Sequence, residues 1–267
     1  MRSRHAVYVA AGLAGWLGIV AGAHADEPAR PREPAGLRAR AVDEDCAQAT
    51  APEERSSQDV APEVPLAHGR AVSGLTPDEC RASLDRLGIR YEDAHGEGAA
   101  VDAIEQPIRL GGPLGSLEVR PHGGDPRSIH SILDCRLALA LYEWGPTLRA
   151  AGFVGIEHVS VFRPGARVAG SHRASGHSHA LAIDALLFVR ADGTTFSVLD
   201  DWAVRTRGAD PCAQYDEPVE SRALREAVCA GARDELFEVI VTPHHDDAHA
   251  NHVHLEVVPG VDWTALR

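Results

Sequence analysis

Residues 175–189 read SGHSHALAIDALLFV, and the last ten of them, ALAIDALLFV (Ala180 to Val189), are apolar except for one acid, Asp184. A short apolar run of this length, rich in branched residues, reads as a buried β-strand. The carboxylate of Asp184 has no apolar reason to be there. A buried, unpaired charge costs several kcal/mol, so Asp184 is expected to be paired or metal-bound. The alternative is an exposed Asp184 on an edge strand.

His177 precedes Asp184 with six residues between them. In a chain with 15 histidines and 39 acids among 267 residues, composition alone yields about two such pairs. The spacing is therefore weak by itself, and the apolar context is what raises it. Any ligand partner must come from elsewhere in the chain.

A second stretch supplies it. HHDDAHANHVHLEVV, from His244 to Val258, holds five histidines and three acids in its first thirteen residues. His249, His252 and His254 form H-x-x-H-x-H, a triple that chance produces in only about one such chain in twenty. His252 and His254 alternate on the strand VHLEVV, so both rings face one side. One of the two would then serve as a ligand with the other next to the bound water, and His, Asp and His make a donor set suited to Zn²⁺ with its fourth position open. The competing reading is a solvated His-rich loop without a task.

Around these two stretches the pattern is mixed. LTPDECRASLDRLGI carries a helix start, with Thr76 as N-cap, Pro77 at the first helical position and Glu79 closing a capping box. SIHSILDCRLALALYEWGPTLRAAG (Ser128 to Gly152) has Ile132, Leu133, Leu137, Leu141 and Trp144 at helical spacing, with Gly145-Pro146 expected to break or bend it. GIEHVSVF alternates as a strand, Asp192-Gly193 turns ALAIDALLFV into TTFSVLDDW, and LFEVIVTP and VHLEVV follow a helix near Glu220 to Ala230. The expected architecture is α+β, with helices packed on a mostly antiparallel sheet that carries the site. There is no internal repeat.

The bulk numbers limit the function classes. An apolar content of 44% and a charged content of 24% suit a globular chain, and a formal charge of -13 argues against nucleic acid as a partner. MRSRH, the apolar run AVYVAAGLAGWLGIVAG and the small-residue site AHA have the layout of a secretory leader over residues 1–25. An uncleaved anchor is the alternative; with cleavage, no stable membrane span is expected and the protein belongs to the periplasm or cell envelope. Residues 26–68, rich in Pro, Ala, Arg and Glu, read as a flexible tether, leaving 69–267 as the folded domain. Export implies disulfides among Cys46, Cys80, Cys135, Cys212 and Cys229. Cys212 with Cys229 is the local pair, Cys80 with Cys135 is a pairing that spacing does not select, and Cys46 is the candidate for the odd thiol. With no C-x-x-C, a thiolate zinc site is not expected.

S-x-H-x6-D followed by H-x-x-H-x-H-L-E resembles the extensin-like C-terminal domain family, which is similar to zinc D-alanyl-D-alanine peptidases and penicillin-insensitive murein endopeptidases. The likeness runs over roughly residues 74 to 258 and includes CRLALALYEW, DGTTFSVLDDW and VIVTPHHDDAHANHVHLE. It implies metal ligation by His177, Asp184 and His254. It places His252 beside the metal-bound water as base or transition-state stabiliser, and His249 as an outer active-site histidine. Ser175 and Arg163 match substrate-holding positions, the arginine being suited to a peptide's terminal carboxylate. Three features depart from the family pattern: Ala180 stands where a glycine is usual, Phe162 where a cysteine is usual, and a cysteine near VDAIEQPIRL is absent. These bear on the disulfide scheme and the cleft shape. His179, His244, His245, Asp246 and Asp247 match no family role and read as solvated loop residues.

The resulting expectation is an exported zinc-dependent peptidase acting on amide bonds of peptidoglycan stem peptides or cross-links, with peptidoglycan or muropeptides as partners. The alternative is a non-catalytic wall-binding or metal-binding envelope protein that retains the ligand set. A third possibility is a His-rich envelope protein with no metal site.

Overall fold

In the computed structural model, which describes residues 70–203 and 205–267, the expected helix start is in place. Thr76 accepts the Glu79 backbone N–H, and the Glu79 carboxylate accepts from the Thr76 backbone N–H, so two of the helix's orphan donors are satisfied reciprocally. α1 (Arg70–Ser73) and α2 (Pro77–Arg86) come first, then β1 (Tyr91–Asp93), β2 (Pro107–Leu110), β3 (Glu118–Pro121) and β4 (Leu133–Asp134). The long helix α3 (Cys135–Ala150) follows, and after it β5 (Phe153–His158), β6 (Ala182–Arg190) and β7 (Thr195–Ser197). α4 (Val198–Asp201), α5 (Val219–Arg233), β8 (Val239–Val241), β9 (Val253–Glu256) and β10 (Ala265–Leu266) complete the order.

The fold is α+β. β1, β2 and β4 form a small antiparallel sheet; the larger sheet runs β10-β8-β9-β6-β5-β3, with β7 added on β6. Only β3–β5 and β8–β10 pair in parallel among the described strands. β6 is the spine: its first half pairs with β9, its second half with β7, and its other edge with β5.

One irregularity decides what β6 presents. Between the pairs Glu157↔Leu187 and His158↔Ala185 the register shifts by one residue on β6, a bulge at Leu186. Asp184 and Phe188 are an even number of residues apart and would share a face in a regular strand. The bulge lets Phe188 pack edge-on against Trp144 of α3 while Asp184 turns to the histidines on the other side. Trp144 fills the centre of the helical side, edge-on to Phe188 and Phe237, with its indole N–H donating to the Ala227 carbonyl of α5 at 2.9 Å.

The helix expected from Ser128 begins only at Cys135. Residues 129–131 make a 3-10 turn, and Leu133 and Asp134 pair with Ile108 and Pro107. Asp134 then caps α3 through the Arg136 N–H. Nor do Gly145 and Pro146 break the helix, which runs on to Ala150. Buried Trp144, Gly145 and Leu148 hold that turn against the core, so packing outweighs the missing proline donor. Disulfides join Cys80 to Cys135 and Cys212 to Cys229, which is compatible with an exported protein. The expected leader, the tether and Cys46 lie outside the described residues. Within them, no helix is long and apolar enough to cross a membrane.

Trp144→Ala removes the largest buried side chain of the helical face and is expected to destabilise the fold by about 3–5 kcal/mol, measured by urea unfolding. A loss below about 1 kcal/mol would show that the core does not centre there.

Candidate metal centre

Each of the three candidate ligands is fixed by a different local device. His177 rides on a 3-10 turn, Gly176–His179, whose first N–H groups are capped by Ser175: the Ser175 hydroxyl accepts from the His177 N–H at 3.4 Å. The turn closes at Ala180, which is fully buried with φ 56° in the left-handed region. That conformation explains why glycine is the expected residue here; a Cβ at this φ costs roughly 1–2 kcal/mol. Gly176 has its own reason, since a Cβ there would lie 2.6 Å from the Glu256 carboxyl carbon. Asp184 and His254 are direct cross-strand partners in the β6–β9 register, so the sheet itself sets their spacing.

The protons can be assigned from the partners. His177 Nδ1 lies 2.7 Å from the Val161 carbonyl oxygen, which can only accept, so Nδ1 carries the hydrogen and Nε2 is bare. His254 Nε2 lies 3.0 Å from Glu256 Oε2, so it donates there and turns Nδ1 inward. His177 Nε2, His254 Nδ1 and Asp184 Oδ1 then face one another with separations of 3.0, 3.0 and 3.2 Å. Three lone pairs cannot stay this close without an electrophile between them.

In the metal-free protein a proton meets part of that demand. Burial opposes charge on His254, but Asp184 and Glu256 outweigh it and raise its pKa to about 9. Burial likewise works against the Asp184 carboxylate, and the histidine hydrogen bonds overcome it, holding this acid well below the usual carboxylate range. A divalent cation would satisfy the same three atoms. A tetrahedral ion with bonds of about 2.0–2.1 Å separates its donors by roughly 3.3 Å, within a few tenths of an ångström of the triangle present. The three residues are buried and can hold a metal.

The remaining candidates lie around this triangle. His252 stands with Nε2 3.4 Å from Asp184 Oδ1 and Nδ1 2.8 Å from Asn251 Oδ1, the amide oxygen accepting the ring proton. Burial pushes its pKa down to about 4, so the ring is neutral. Arg163 is half exposed, its guanidinium 3.4 Å from Asp184 Oδ2 and its backbone N–H donating to the His177 carbonyl. His249 is one step further out, its ring 5.0 Å from that of His252 and its Nδ1 2.6 Å from Asp246 Oδ1. Ser175 is buried beneath the turn it caps. The structure thus brings His177, Asp184 and His254 into one cluster, with His252 and Arg163 against it and His249 at its edge.

Four residues here carry more than the sequence reading gave them. Glu256 orients His254, and the period-two spacing of 252, 254 and 256 was the available signal. Gly176 makes room for Glu256. His158 is buried beside the site with its pKa pushed down to about 4 by burial, and its Nδ1 has no hydrogen-bond partner among the described residues. His244 is not solvated: it is 1% exposed, between Trp202 and Tyr215. The hydrophobic pull of that aromatic pair outweighs the polar context of its neighbours in sequence. His179 and Asp247 are exposed as expected, while His245 and Asp246 are partly exposed.

A buried His/Asp/His cluster, with Asp184 and His254 on two paired antiparallel strands and His177 on a 3-10 turn, defines an α+β domain with a candidate metal centre. Residues 78–265 match the family described as Extensin-like protein C-terminus, and the chain belongs to that family. No curated protein and no solved structure matches it significantly.

Glu256→Gln is expected to weaken metal binding by about 10- to 100-fold while the domain stays folded, as read by competition with a chromogenic chelator; unchanged affinity would remove Glu256 from the site. The metal-free protein should show a stability maximum near pH 6.5. His254, at about 9 in the fold, contributes stability that is full below its unfolded value of about 6.5 and is lost as pH rises through 9. His158 and His252, at about 4, are lost as stabilising neutral groups when pH falls from about 6.5 toward 4. Melting temperatures across pH 4–10 should show both arms, with the alkaline arm flattened by added zinc.

Proposed function

We propose that this chain is an exported zinc-dependent peptidase that hydrolyses amide bonds in peptidoglycan stem peptides or their cross-links. The observation that carries this reading is the buried triangle of donor atoms, with a neutral histidine and a half-exposed arginine set against it. Two imidazoles and one carboxylate suit zinc better than the harder divalent ions, which prefer all-oxygen sites. When bound, such an ion supplies Lewis-acid polarisation of a carbonyl and an acidified water nucleophile at neutral pH.

The chain's own residues would do the rest. His252 presents a bare Nε2 toward the triangle, its Nδ1–H being held by Asn251, so it can accept a proton and return it to the leaving amine. Asp184 has two tasks, because one oxygen faces the histidines and the other orients Arg163. Arg163 offers a planar fork to a peptide carboxylate. His249, held by Asp246, limits the ways the His252 ring can move, and Ser175 keeps the His177 turn wound. The two disulfides and the leader pattern support export to the envelope, where such a substrate lies.

A second reading, a metal-binding or wall-binding module without turnover, is favoured by His245 beside Asp246 at the rim, an imidazole to which the reaction gives no task. Metal analysis of the purified protein, followed by digestion of intact sacculi with products identified by mass, separates the two. His254→Ala is expected to lose both metal and turnover. His252→Ala should keep the metal and lose at least about 100-fold in kcat. Muropeptide cleavage by His254→Ala at the wild-type rate would refute the assignment, and stoichiometric zinc with no cleavage of any muropeptide would favour the second reading.

A further inference from the structure

The segment that follows α4 is seated on the loop leading into His252. The Gly208 N–H donates to the His244 carbonyl at 3.1 Å, and the His244 ring donates through Nδ1 to the Thr206 carbonyl at 3.2 Å. Trp202 and Tyr215 flank that ring, their centroids 6.2 and 5.6 Å away. The far end of the segment is tied to α5. Cys212 is bonded to Cys229, and the buried Arg225 pairs with Glu217 and donates to the Pro211 carbonyl at 2.9 Å. A segment anchored in this way gives a fixed support to whatever its other end touches.

That other end carries Arg205, which is partly buried and whose guanidinium joins two separate parts of the chain. Nε donates to the Trp202 carbonyl at 3.0 Å, and Nη2 donates to the carbonyls of Val198, at 2.6 Å, and Leu199. Nη1 crosses instead to the carbonyl of Ala250. Ala250 closes the 3-10 turn Asp247–His249, and only Asn251 stands between it and His252. The Ala250 oxygen shares one rigid peptide plane with the N–H and Cα of Asn251, so holding the oxygen fixes where Asn251 begins. Asn251 in turn orients His252, its Oδ1 accepting the ring's Nδ1–H at 2.8 Å. Arg207 also reaches this turn, through Asp247, but the two side chains are 52% and 99% exposed, and a pair in that setting holds little.

We propose that Arg205 is a positioning residue for His252: by clamping the Ala250 carbonyl it sets the Asn251 peptide and so aims the imidazole at Asp184. A guanidinium suits this task because its planar fork bonds carbonyls on two sides in a fixed geometry, which the single ammonium of a lysine does not. The inference rests on the peptidase reading for its effect on turnover. Its effect on the orientation of the ring needs only the contacts described. Without the clamp, the turn keeps its Asp246 cap, but the peptide that follows it is released.

The test reads the His252 ring directly, in the full chain with added zinc and isotope-labelled histidine, by long-range proton–nitrogen NMR at neutral pH. Its signal is the one that His252→Ala removes. Wild type is expected to show a single tautomer with the hydrogen on Nδ1. In Arg205→Gln both nitrogens of this ring should move toward the averaged position of a ring exchanging its hydrogen. His244 and His177, each held against a carbonyl, should keep theirs on Nδ1. Arg207→Gln should change none of the three. With a muropeptide substrate, Arg205→Gln should lower kcat roughly tenfold and leave KM within about twofold. In the His252→Ala background the same substitution should change kcat by less than about twofold. A mixed tautomer in the wild type, a single one retained in folded Arg205→Gln, or an equal loss of kcat without His252 overturns the assignment. If His244 moves together with His252, Arg205→Lys, which retains the charge but not the fork, is read in its place. Movement of both rings in that variant too would make Arg205 a structural residue of the segment, and this also overturns the assignment. Absence of turnover in the wild type counts against the peptidase reading alone, because the ring is read without substrate.

Discussion

Two inward-facing imidazole nitrogens and a carboxylate oxygen held 3.0–3.2 Å apart form an arrangement that a protein cannot keep without a proton or a cation at its centre. Much of the surrounding structure enforces that arrangement. The Val161 carbonyl and the Glu256 carboxylate take the outer protons of the two rings, so the inner nitrogens are the ones that meet. The β6–β9 register sets Asp184 against His254, the bulge at Leu186 turns Asp184 away from the helices, and the Ser175 cap holds His177 over both. Each of these devices is local, and together they confine the donors to one small triangle.

The cost of that confinement is visible in the neighbouring backbone. Ala180 adopts a left-handed conformation that a glycine would enter freely, and Gly176 exists because Glu256 leaves no space for a methyl group. The chain thus uses alanine where strain results and glycine where contact forbids anything else. Behind the turn, the Asp134 N–H donates to the Ala180 carbonyl, so the start of α3 braces the strained residue. Arg136 and Asp134 form a buried pair just beyond it, tying the helix start to the same corner. Strain of this kind persists only where the surroundings over-determine the conformation.

Much of this was legible in the sequence. Thr76, Pro77 and Glu79 mark a helix start through groups that act within four residues, and local chemistry is what sequence shows best. Asp184 was conspicuous because a carboxylate in an apolar strand demands a partner, and the alternation of His252 and His254 gave that partner a face. Where the reading failed, the deciding contact was distant. Leu133 fits a helical stripe as well as a strand, and only pairing with Ile108 selects the strand. Pro146 is tolerated because of what Trp144 and Leu148 touch. The two-residue strand β10 exists through its parallel pairing with β8, and nothing in its own residues announces it. His244 lay in a polar string, and its burial depends on Trp202 and Tyr215, which are far from it in sequence.

His177 and His254 are separated by 77 positions, and the Cys212–Cys229 bridge lies wholly inside the loop between them. A cation shared by these side chains would act as a removable staple, closing a long ring around a shorter one that is already locked. Loop-closure entropy makes such a staple most effective when the ring is long. Chelation would then reopen the outer ring and leave the inner one shut, so the same polypeptide could exist in a looser and a tighter topology without breaking a covalent bond.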